Sequence, residues 1–138
     1  LAGLNDALDK FLKETRRDEL RKSVFGKELS PEALEAYKQG TTLLHKGNDA
    51  EGRARLAFFL QQEIPYDERW CEASVHFDLA FSYWKTKEYD LALVEIRLAK
   101  EYYETRTEYG GKKLTNEPAY NSLCKLEEQI NQEHKKDL

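Results

Sequence analysis

Apolar side chains return every three or four residues along most of this chain, the period of a helix with one buried face. Nowhere does a strand-like alternation persist. Leu4, Leu8, Phe11 and Leu12 form one stripe that Leu20 and Val24 extend, so a first helix is expected over residues 4–25. Gly26 closes it. Ser30-Pro31 opens the next, with Ser30 as N-cap and Pro31 at the first helical position. This second helix should end near Lys46, where Gly47-Asn48-Asp49 makes a turn. A third should run to about Glu63, ahead of Pro65, and Asp67 can cap a fourth reaching Thr86. The fifth starts near Glu88 and stops before Gly110-Gly111. A polar loop from about Thr105 to Asn116 leads into the sixth, where Ala119, Leu123, Leu126 and Ile130 mark one buried face.

Residues His76 to Ala99 carry the most specific pattern. The tetratricopeptide signature is W-x-x-L-G-x-x-Y, then A-x-x-x-F beyond the turn. The matching positions here hold His76, Leu79, Ala80 and Tyr83, then Ala92 and Ile96, with Ala99 one turn later. Ala80 and Ala92 stand where two helices must approach closely. A weaker copy lies upstream, with Ala36, Gly40, Leu43, Gly47, Gly52 and Leu56 in the corresponding places. Its spacing from the second copy exceeds the usual ~34 residues, and the surplus falls in the connector around Ile64 to Asp67. The expected architecture is all-α: a six-helix right-handed superhelical bundle, one domain over 1–138. Two tetratricopeptide-like pairs, at 31–64 and 67–108, are capped by an N-terminal helix and by a closing helix at 117–136. Pairs of this kind cannot bury their apolar faces alone and stack on neighbours, commonly to hold another protein.

Composition narrows the function. At 138 residues the chain is one domain by length. Charged residues make up 35% and aromatics 12%, a polar surface over an aromatic core. The net charge of -4 argues against a nucleic-acid binder, which normally presents a basic face. Basic runs such as Arg16-Arg17 are interrupted by acids and read as a solvated helix face. Cys71 and Cys124 have no metal-ligand spacing and read as reduced core thiols, which points weakly to the cytosol. Cys71 falls in the first turn of a helix, where its pKa could drop, but a packed structural thiol is the simpler reading. The longest apolar runs, such as Leu56 to Leu60, are too short to span a bilayer, and no signal peptide is expected. The chain begins at Leu1 without a methionine, so both ends read as cuts.

The fourth helix has more apolar surface than one core stripe requires. His76, Leu79, Ala80 and Tyr83 share one face, while Trp70, Phe77, Phe81 and Trp84 share an adjacent one. In a tetratricopeptide stack the first helix of each pair lines the concave side, so the second stripe would form an aromatic groove for a peptide or partner helix. Tyr37, Lys38 and Thr41 on the second helix, and Asp78 and Lys85 on the fourth, are candidate polar contacts. Equally, the chain's own N-terminal segment or second helix could cover these rings, since aromatic stripes are more often core than site. The basic-asparagine clamp of some tetratricopeptide proteins is missing: Tyr37, Thr41 and Asp78 occupy its places.

Catalytic signals are not found. His45, His76 and His134 are scattered, and His76 stands at a core position. Gly110-Gly111 opens no phosphate-binding helix. Carboxylates are numerous and read as exposed. The expectation is a non-enzymatic protein without metal or cofactor.

With one N-terminal helix, two atypical pairs and one closing helix, the chain resembles the mitochondrial fission 1 protein family. Asn48-Asp49 and the helix to Ile64 resemble that family's first turn and second hairpin helix. Leu79-Ala80, Trp84, Lys87-Glu88-Tyr89 and Ala92 follow its Leu-Ala, aromatic, Glu-Tyr and Ala pattern without a gap. Glu117-Pro118, Asn121, Leu126-Glu127, Ile130 and Lys135-Lys136-Asp137 resemble its last helix and basic end. The likeness runs from about Leu4 to Leu138. Two departures are an expanded loop around Thr105 to Thr115, and Ser82 where the family has glycine.

The resemblance implies a tail-anchored adaptor on the cytosolic face of the mitochondrial outer membrane, and of peroxisomes. Such a protein helps recruit a dynamin-related GTPase, directly or through another adaptor, and meets the membrane only through a C-terminal anchor beyond this chain. An apolar continuation past Leu138 is therefore expected. Two other readings stay open: a soluble tetratricopeptide chaperone or peptide sensor, such as a bacterial secretion chaperone, and a structural homo-oligomer. The last draws on Leu91, Leu98 and Tyr102, a second apolar stripe on the fifth helix.

Overall fold

In the computed structural model, residues 29–65, 69–106 and 113–137 are described, and within them every regular element is helical, with no strand. The order is α1 (Pro31–His45), α2 (Asp49–Gln61), α3 (Trp70–Lys85), α4 (Tyr89–Glu104), a 3-10 turn at Leu114–Asn116, and α5 (Pro118–Asp137). The chain is all-α. The helix expected at residues 4–25 and the cap expected at Asp67 lie outside the described residues.

Helix α1 starts as its sequence directs. The Ser30 hydroxyl accepts a hydrogen bond from the Ala33 amide at 3.1 Å, and Pro31 occupies the first turn, where its missing N–H is not needed. The helix ends in a two-bond cap: Gly47 N–H donates to Leu44 at 3.1 Å and Asn48 N–H to Leu43 at 2.9 Å. Gly47 supplies the left-handed backbone this requires, at φ 86°. Helix α3 ends identically, with Lys87 N–H on Trp84 at 3.0 Å and Glu88 N–H on Tyr83 at 2.9 Å. There the left-handed position falls to Lys87, at φ 62°, a conformation side chains disfavour.

Each cap turns the chain back into an antiparallel hairpin, α1 against α2 and α3 against α4; α3 also touches both α1 and α2, and α5 closes on α4. The first hairpin is held close by glycines. A Cβ at Gly40 would stand 2.5 Å from Leu56 Cδ2, and one at Gly52 would stand 2.7 Å from Leu44 Cδ2. In the second hairpin the same places hold Ala80 and Ala92, both fully buried.

The core has three parts. Leu44, Leu56, Phe59, Val75 and Leu79 join α1, α2 and α3. Ala80, Ala92, Ile96, Leu126 and Ile130 join α3 and α4 to the middle of α5. Phe77, Ala99, Tyr103 and Leu123 fill the remaining end, and Leu114 of the 3-10 turn inserts among them. The loop expected to be polar thus contributes one core residue, Leu114. No described helix is long and apolar enough to cross a membrane.

Candidate functional site

Three of the proposed contacts, Tyr37, Trp70 and Asp78, come together where α1 meets α3, and the helical period explains why. On α3, Trp70, Ser74, Asp78 and Phe81 follow one another at spacings of four, four and three, which keeps them on one side of the helix. From α1, Tyr37 reaches across. Its hydroxyl lies 3.1 Å from the Ser74 hydroxyl, and its ring packs on Phe59 at 5.4 Å and edge-on to Trp70 at 6.3 Å. Burial, with Cys71 nearby, lifts the Tyr37 phenol well above its ordinary range, so it stays protonated. Thr41, one turn along α1, hydrogen bonds to its own helix, at 3.0 Å from the Tyr37 carbonyl and 3.1 Å from that of Lys38.

Asp78 is the outlier of the group. It is only 5% exposed, and its Oδ2 has no hydrogen-bond partner. Burial alone pushes its carboxyl up to about 8, so it is predominantly neutral at pH 7. The expectation that carboxylates sit on exposed faces fails here. A single aspartate between Phe77 and Leu79 carries no marker of burial beyond its register with Ser74 and Trp70.

Four candidates stand elsewhere. Phe77, expected on the groove stripe, is 4% exposed and belongs to the α3–α4–α5 core with Tyr103 and Leu123. The spacing of four to Phe81 suggests a shared face, but Phe77 packs with Ala99, Tyr103 and Leu123 while Phe81 stays half-buried beside Trp84. Trp84 packs beside Phe81, at 5.6 Å between ring centroids, yet its indole N–H donates to Glu133 of α5. Lys85 meets Asp49 of α2 at 3.3 Å and lies 5.5 Å over the Phe81 ring. Lys38 lines a shallow depression of about 450 Å³ between α1 and α2, with Glu35, Glu51 and Arg55.

A polar junction that the pattern did not announce holds the two hairpins in register. Arg53 of α2 stacks 4.3 Å over the Tyr83 ring. Its guanidinium donates to the Ser82 hydroxyl at 2.9 Å, the Ser82 carbonyl at 3.0 Å, Thr86 at 2.7 Å and Glu88 at 3.1 Å. Ser82 in turn donates to Asp49 at 2.7 Å. Ser82 is therefore a bonded member of the inter-hairpin contact. His76, expected in the core, is partly buried and pairs with Glu95 of α4 at 2.5 Å.

Among the described residues no cluster of three or more histidine, cysteine or acidic side chains could hold a metal ion. At the α1–α3 crossing the Ser74 and Asp78 side chains are buried, and the Tyr37 and Trp70 rings are partly exposed. Compared with family models, curated proteins and solved structures, the chain matches none.

Proposed function

We propose that this chain is a non-enzymatic protein-interaction adaptor, the cytosolic domain of an organelle-surface fission protein of the mitochondrial fission 1 type. In this reading the hairpins α1–α2 and α3–α4 are two tetratricopeptide-like repeats, with α5 and the N-terminal segment as caps. The face shared by α1 and α3 takes a peptide or helix from the partner, a dynamin-related GTPase or its adaptor, on mitochondria and peroxisomes. The work done is capture and local concentration, with no bond made or broken.

One observation supports it most. The two hairpins use the same turn, the same small-residue positions and the same register, and the first helix of each contributes to one polar and aromatic face. The test is a titration of the purified domain with the dynamin-related GTPase of the same cell. Tyr37→Ala and Phe81→Ala should each weaken the complex. If the wild-type domain does not bind, and the tagged full-length product is diffuse in the cytosol, the soluble tetratricopeptide chaperone takes its place.

A second reading has its own observation. Leu91, Val94 and Leu98 of α4 are 48%, 55% and 39% exposed, an apolar stripe on the helix's outer side. Such a stripe suits a structural homo-oligomer. Sedimentation at several concentrations decides it: a monomer throughout removes the oligomer.

A further inference from the structure

Leu91, Val94 and Leu98 stand in line on α4 at spacings of three and four, the spacing of a helix seam, yet all three are exposed. Single exposed apolar residues are ordinary; a contiguous line of them marks a contact surface. The fold explains which way the line faces. Ala92, Ile96, Ala99 and Tyr103 of the same helix are buried. On the flanks, Glu95 turns to His76 of α3 and Lys100 to Glu127 of α5. The strip between these flanks points outward.

The charges on this strip are arranged about Val94. With about 3.6 residues per turn, Leu91 and Leu98 fall on one edge, Asp90 and Arg97 on the other, and Val94 between them. Along the axis Asp90 lies about 6 Å before Val94 and Arg97 about 4.5 Å beyond it. Both side chains are open to a partner. Asp90 is 89% exposed and stands 3.9 Å from the His134 ring, past hydrogen-bond length. Arg97 is exposed, with no ion pair among the described residues.

We infer that this strip docks on a second copy of the same chain, α4 antiparallel to α4 about a two-fold axis at Val94. The inference rests on the homo-oligomer reading and gives it a geometry. Under that rotation each edge of the helix meets the same edge of its copy, run in reverse. Leu91 then meets Leu98 of the second copy, Leu98 meets its Leu91, and Val94 meets its own equivalent. On the other edge, Asp90 of each copy comes level with Arg97 of the other. Two ion pairs of opposite sign thus lie beside one apolar seam. A parallel pairing would instead set Asp90 and Arg97 against the leucines, where their charges lose water without a partner. The ion pairs lie at the rim, so they fix the register more than they add affinity. One helix face is small beside the about 1,600 Å² of a standard interface, so the dimer dissociates on dilution.

The test is sedimentation equilibrium of the 138-residue chain at several concentrations, for the wild type and three variants. The wild type should show a monomer–dimer equilibrium that Val94→Asp abolishes, with an unchanged circular dichroism spectrum because Val94 is exposed. Arg97→Glu sets acid against acid and should weaken dimerisation at least about tenfold. Adding Asp90→Arg to Arg97→Glu restores opposite signs and should recover most of that loss, a coupling read by the double-mutant cycle. A dimer that Val94→Asp dissolves but Arg97→Glu leaves intact, or that the double exchange fails to recover, overturns this inference alone. A dimer indifferent to Val94→Asp lies on another surface and also overturns it. A monomer at every concentration removes the inference together with the homo-oligomer reading and leaves the strip to a different partner.

Discussion

Gly40 and Leu56 claim the same space: the Cβ that any other residue would bring to Gly40 would lie 2.5 Å from Leu56 Cδ2. Leu56 is fully buried, so it cannot swing aside without opening the α1–α2 core. The reciprocal contact at Gly52 is of the same kind: a Cβ there would meet Leu44 Cδ2 at 2.7 Å and the Leu44 backbone nitrogen at 3.0 Å, as one at Gly40 would meet the Leu56 backbone nitrogen at 3.2 Å. Alanine has the better helix propensity by about 1 kcal/mol, but overpacking costs roughly 1–3 kcal/mol. Gly40→Ala and Gly52→Ala should therefore each lower stability in urea or thermal denaturation. In the second hairpin, Ala92→Leu repeats the experiment with a larger intruder and a similar loss.

Arg53 links α2 to the end of α3 through four hydrogen bonds and a ring. Its removal leaves the buried Ser82 hydroxyl without one partner. Arg53→Ala should cost about 1–3 kcal/mol, read as a lower melting temperature. Arg53→Lys should restore little, because one ammonium cannot reproduce the planar fork and its stacking on Tyr83. Full rescue by lysine would mean that charge alone matters.

The pH dependence of stability has a sign fixed by Asp78. Its carboxyl, raised from 3.8 to about 8 in the folded chain, holds a proton that the unfolded chain releases near pH 4. Below that, both states are protonated and nothing is lost. From about pH 4 to pH 8 the unfolded state gains, and stability should fall by up to ~1.4 kcal/mol per unit. Subtracting the profile of Asp78→Asn isolates this slope. A difference profile flat from pH 4 to pH 8 would show that the folded chain ionises Asp78 readily.

Phe77 and Phe81 should separate fold from binding. Phe77 lies in the core, so Phe77→Ala should cost about 3–5 kcal/mol of stability. Phe81 is half-buried beside Trp84 and Lys85, so Phe81→Ala should leave a helical, cooperatively melting domain. Its effect should appear in partner affinity, at about 2 kcal/mol. Circular dichroism and a binding titration on the two single variants check this.

The helices were readable because their signals are local. The Ser30 cap, the Gly47 turn and the stripe through Ala119, Leu123, Leu126 and Ile130 each depend on residues within a few positions, and all appear as expected. Small residues at Gly40, Gly52, Ala80 and Ala92 likewise announced close helix approach. The site was less readable, because a helical period says which residues share a face but not which neighbour covers it. Phe77 and Trp84 were read with Phe81, whereas α4 and α5 take them. Asp78 reads in the sequence as an open polar contact of the groove, and Arg53 is not singled out there. Both owe their roles to contacts between residues far apart in sequence.

The most direct test of the adaptor account follows the amide signals of the isotopically labelled domain by NMR as purified dynamin-related GTPase is added. Binding at the α1–α3 crossing should first weaken signals of Tyr37, Thr41, Ser74, Asp78 and Phe81, and Phe81→Ala should abolish the effect. Loss confined to Leu91, Val94 and Leu98, or an unchanged spectrum at saturating GTPase, would contradict it.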